Sequence, residues 1–235
     1  MEENINLNDI EYSNDIRMDI ENTFKELCKK DISNYIKLIS ISRQVHVFLS
    51  KKINSQECIE YYIAMINIRI RDHFMSGTML FSKGFTVDAI TLVRSALEDL
   101  WVIQNLYYNK DFYNKWKSGD KIRIYELRNL DEIKDRREFN ENVYSSLCNI
   151  SHCRLDSIQH MGRFHPCVEN KGSEGSKRLL KDYSLLVMSY HIYFEQIIEL
   201  FIKYYINKND EKELKEIEKE LIEIREDIYP QIKNV

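Results

Sequence analysis

The chain has 235 residues, 34 Lys+Arg against 38 Asp+Glu, and a net charge of −4 with His neutral. A hydrophobic share of 43% and a charged share of 31% argue against a disordered or fibrous chain. With only 6 Gly and 2 Pro, the turn-rich sandwiches, barrels and Rossmann domains are disfavoured, and the expected fold is an all-α multi-helix bundle of about seven or more helices.

The acidic, polar N-terminal stretch has neither a basic region nor an apolar core, so no signal peptide is expected. A first amphipathic helix is predicted over residues 8–30 and a second over 31–53, with Asp31 as its N-cap. A third is expected to start at Ser55 on a serine cap and to stop at Lys83-Gly84, with Gly84 as the residue just past the helix end. Thr86 is the expected cap of a fourth helix, 87–109. Ala89, Val93, Leu97, Leu100, Trp101 and Gln104 share one of its faces, and Val102 and Ile103 lie elsewhere. A helix apolar nearly all round belongs at the centre of its bundle.

Short helices are predicted at 110–118, 120–138 and 140–153, and a long loop at 160–176 around Gly162, Pro166, Gly172 and Gly175. An apolar helix should follow over 176–207. Its strongest stretch, 184–206, carries His191, Glu195, Gln196 and Glu199, which are costly in lipid, so it reads as a core helix and no membrane partner is expected. The charged helix 209–229 carries Leu214, Ile217, Leu221, Ile224 and Ile228 at alternating steps of three and four. Such a stripe either packs on the chain's own bundle or forms a seam between two copies. The division is therefore a helical domain, 1–207, and a charged C-terminal helix, 208–235.

Residues 1–31 carry a net −5 and residues 207–235 a net −3, so the body between them is net +4. That mild basicity is compatible with an anionic partner. Five cysteines (28, 58, 148, 153, 167) without a secretory signal suggest free thiols in the cytoplasm.

Two constellations could carry chemistry. Arg94 and Glu98 lie four apart on the apolar fourth helix, where a charge pair is expected to be partly buried and architectural. The second is Cys148, His152, Cys153, His160, His165 and Cys167 within twenty residues, with Tyr144, Cys148 and His152 on one helix face. Three interpretations stay open for it. One is a zinc site, although no paired C-x-x-C or H-E-x-x-H supports it, and neither metal nor cofactor is expected. Another is phosphodiester chemistry, in which His152 or His160 moves protons and Arg154 offsets phosphate charge. On one straight helix Arg154 and His160 lie about 120° apart, so a kink or a second chain must bring them together. The third is a set of core or solvated histidines. Walker A, G-x-S-x-G and G-x-G-x-x-G motifs are absent.

Phe81 to Glu98, running on to Tyr113-Asn-Lys-Trp116, carries a small-residue turn, an apolar helix and Arg94-Ser-x-x-Glu98. A later segment reads Tyr144-Ser-Ser-Leu147-Cys148-Asn-Ile-Ser-His152. Together these resemble, over residues 75–165, a bacterial helical family of unknown function allied to the HEPN group. Cys148 stands where that family has serine. The resemblance implies a HEPN-like bundle, frequent dimerisation, and ribonuclease or defence and toxin roles. Its catalytic signature, Arg-x(4–6)-His, falls on Arg154 and His160, with Leu155 where a polar residue usually follows the arginine. The functional expectation is thus a HEPN-like ribonuclease or RNA-binding component. Its rival is a non-catalytic scaffold that homodimerises and binds a protein partner. Arg94, Glu98 and Tyr144 are assigned to the polar core.

Overall fold

The computed structural model describes residues 18, 20–22, 24–128, 142, 144–145, 147–148, 174–205 and 207–232. Every regular element among them is a helix: α1 (Lys29–Ser50), α2 (Ile59–Ser82), α3 (Thr86–Tyr108), α4 (Lys110–Lys117), α5 (Ile124–Arg128), α6 (Glu174–Tyr204) and α7 (Lys208–Ile232). The protein is an all-α multi-helix bundle. The predicted helices before residue 18 and across 129–141, the His-rich part of 140–153 and the 160–173 loop lie outside the described residues.

Two antiparallel pairs organise the bundle. α2 packs along α3, and α6 along α7. α1 bridges them by touching α2, α6 and α7, while α3 also meets α6. The centre is aromatic: Phe48, Phe74, Phe81, Trp101, Tyr183, Tyr193, Phe194 and Phe201 are all buried. α3 is central as its composition predicts. All six residues of its expected face are buried, and so is Ile103 on another side.

The turn between α2 and α3 follows from Gly84. Its φ of +84° is a conformation that L side chains rarely adopt. It lets Gly84 N donate to Phe81 O at 3.0 Å and Phe85 N to Leu80 O at 2.9 Å, the double closure of a Schellman motif.

Three local expectations need correction. Asp31 is not a cap. α1 starts at Lys29, and Asp31 lies buried in its first turn, accepting from Ser184 Oγ at 3.0 Å. Ser55 caps no helix. Its Oγ accepts from Glu57 N at 3.3 Å in a turn, and α2 begins four residues on, at Ile59. Thr86 is the first residue of α3 and makes no side-chain cap. Asp31 and Ser55 bond elsewhere, and the Thr86 hydroxyl is buried without a hydrogen bond.

The apolar stripe of α7 is spent inside the chain. Leu214, Ile217, Leu221, Ile224 and Ile228 are all 2% exposed or less. Asp182–Tyr204 within α6 is long and apolar enough to cross a membrane, and 67% of that window is buried in the bundle. Its polar residues are answered there. His191 Nε2 meets Leu221 O at 2.7 Å, Gln196 Oε1 accepts from Gln104 Nε2 at 3.0 Å, and Glu195 pairs with Arg225 at 3.1 Å.

Candidate functional site

On an apolar helix, charged side chains survive only where partners meet them. α3 carries three in its middle, Arg94, Glu98 and Asp99, and each is engaged. Arg94 Nε lies 3.7 Å from Glu98 Oε1 one turn on, with both side chains about a quarter exposed. Tyr144 Oη donates to the same Glu98 oxygen at 2.9 Å. The Tyr144 ring packs on Trp101, with centroids 5.1 Å apart. Burial, then the Glu98 and Cys148 hydrogen bonds, push the Tyr144 phenol above its ordinary value, so it stays a proton donor at neutral pH. Arg94, Glu98 and Tyr144 therefore meet as one polar group, with Cys148 beside it.

Asp99, one residue past Glu98, turns towards α2. It is 3% exposed, and Arg69 grips it through both arms of its fork: Nε to Oδ2 at 2.8 Å, and the Nη2–Oδ1 contact beside it. His73 Nε2 lies 3.9 Å from the same Oδ2, within ion-pair reach when the ring is protonated. Burial raises the Asp99 carboxyl, against the pull of Arg69 and His73. Bonding to Asp99 in turn raises the Arg69 guanidinium. Glu98 also acts on Arg69, so the two clusters are electrostatically continuous.

The result is a polar band on the α2–α3 face: His73, Asp99, Arg69, Glu98, Arg94 and Tyr144. Arg69 and His73 are one helical turn apart, so they project from the same side of α2. A buried carboxylate thus holds a guanidinium towards solvent with an imidazole beside it, a combination of an anion binder and an acid–base group. Sequence inspection missed Arg69, His73 and Asp99. Their only signal was an Arg-x-x-x-His spacing on α2 and a second acid beside Glu98.

Of the residues assigned to phosphodiester chemistry, His152, Arg154 and His160 lie outside the described residues, as do Cys153, His165 and Cys167. The chain reaches His152 four residues after Cys148. A second concavity, about 590 Å³, runs between α1 and α7 past Arg43, Gln44, Glu213 and Glu220. Gln44–Glu220 and Lys51–Glu213 contacts stitch its walls together, and its charged lining mixes Arg43 and Lys212 with Glu213, Glu216 and Glu220.

Comparison with family models, with curated proteins and with solved structures finds no match to this chain.

Proposed function

We propose that the protein is a HEPN-like, RNA-acting bacterial protein of the cytoplasm, a metal-independent ribonuclease or RNA-binding component of a defence or toxin system. The observation that carries this reading is the 2.9 Å hydrogen bond from Tyr144 Oη to Glu98 Oε1. It joins the two stretches on which the family resemblance rests, the Arg94-Ser-x-x-Glu98 helix and the Tyr144–His152 segment. In this reading the Arg94–Glu98–Tyr144 group is scaffolding that ties Tyr144 to α3. His152 or His160 is the general acid–base, and Arg154 offsets charge on the phosphoryl oxygens.

The test is RNA cleavage by purified protein with and without EDTA, beside a His152→Ala/His160→Ala variant. Cleavage that resists EDTA and vanishes in the variant, at unchanged thermal stability, supports the reading. Absence of RNA binding and cleavage by the wild-type protein overturns it.

A non-catalytic scaffold is the second reading. It is favoured by Met65, Met75 and Met79, which are 49%, 42% and 62% exposed along α2. Flexible thioethers in a row suit adaptable protein contacts.

A further inference from the structure

We propose that Arg69, clamped by the buried Asp99 carboxylate, and His73, one helical turn along, form a phosphate-binding subsite on the outer α2–α3 face.

Three features support it. The first is presentation. Asp99 occupies only the Nε and Nη2 side of the Arg69 fork. The side chain is 59% exposed, and no other partner holds it among the described residues. A guanidinium clamped from behind keeps its outer N–H groups in one plane, the geometry that suits two oxygens of a phosphate. Much of the ordering entropy of a free arginine is already spent in the fold.

The second is the imidazole. His73 sits one turn along the same helix with its side chain 25% exposed. Its 3.9 Å distance to Asp99 Oδ2 is beyond hydrogen-bond length, so the carboxylate does not consume the ring.

The third is charge. Three arginines (Arg69, Arg71, Arg94) and three carboxylates (Asp72, Glu98, Asp99) lie on these two helices around the pair, and each is engaged with an opposite charge. These pairs balance, so the surroundings of Arg69 and His73 carry no excess negative charge to repel an anion. Tyr144, bonded to Glu98, stays neutral. The ligand chemistry is a phosphate group, carried either by an RNA backbone, as the function proposed above supplies it, or by a free phosphate.

The test follows the His73 imidazole signals by NMR, assigned by their loss in His73→Gln, during titration with sodium phosphate at constant ionic strength. The expected result is a saturable shift with Kd on the order of 1 mM. Arg69→Lys keeps a cation but loses the fork. It should weaken binding by about tenfold while a cooperative melt shows the fold intact. A short oligoribonucleotide that moves the same signals identifies a phosphodiester as the ligand. Movement by inorganic phosphate alone identifies a free phosphate, keeps the subsite and counts against the RNA reading. Signals that ignore phosphate, or shifts indifferent to Arg69→Lys, overturn the subsite. If RNA is then still bound or cleaved, the subsite falls and the proposed function stands.

Discussion

Removing residues 209–235 should unfold the protein, not merely change its oligomeric state. The deletion strips five side chains of α7 that are 2% exposed or less: Leu214, Ile217, Leu221, Ile224 and Ile228. Burying one such side chain is worth about 1.5–3 kcal/mol, so the five together account for roughly 7–15 kcal/mol. A domain's whole stability is about 5–15 kcal/mol. The loss is compounded at the surfaces α7 covers on α1 and α6, where His191 Nε2 forfeits Leu221 O after a 2.7 Å contact. A gentler version is Leu221→Ala, which leaves the backbone acceptor in place and should cost about 2–5 kcal/mol. The assays are urea unfolding followed by circular dichroism, and light scattering for mass. Leu221→Ala should lower the unfolding midpoint at unchanged slope and unchanged mass. If the truncated chain melts cooperatively near the full-length temperature and only halves its mass, the stripe is an intermolecular seam and the packing described above is wrong.

Two further outcomes are expected. Burial pulls the His191 imidazole below its ordinary value, against the hydrogen bond to Leu221 O and the Glu195 charge. The unfolded chain then binds the proton more readily, so His191 contributes stability that is present above pH about 6.5 and lost as pH falls below it. Urea midpoints across that range should drop less steeply in His191→Gln, and equal slopes would refute the assignment. Gly84→Ala places a Cβ 3.2 Å from Ile20 Cδ1 at φ +84°, and should cost about 1–2 kcal/mol in thermal unfolding. A neutral result would mean that the α2–α3 turn relaxes.

How much was legible follows the range of each interaction. α3 was legible because a helix that is apolar on most sides has one place to go. Gly84 was legible because its closure lies within six residues of chain, from Leu80 O to Phe85 N. The α7 stripe was visible but ambiguous, since a partner helix in the same chain and one in another chain ask for the same a/d residues. Asp31 was misread because its real partner, Ser184, is 153 residues away. Ser55 and Thr86 resembled caps because capping propensity says which residues can close a turn, not which turn the tertiary fold selects. At the candidate site Arg94 and Glu98 announced themselves by spacing within one helix. Arg69 and Asp99 gave no such signal, because their pairing exists only once α2 lies along α3.

The bridging position of α1 has a consequence for biosynthesis. α1 is made long before α7, yet α7 packs on it through contacts such as Gln44–Glu220, which spans 176 residues. While the chain emerges from the ribosome, α1 and α6 must wait without α7, with His191 lacking Leu221 O and Glu195 lacking Arg225. A nascent bundle in that condition is a natural client for chaperones, and a ribosome stalled before α7 would release an adhesive product.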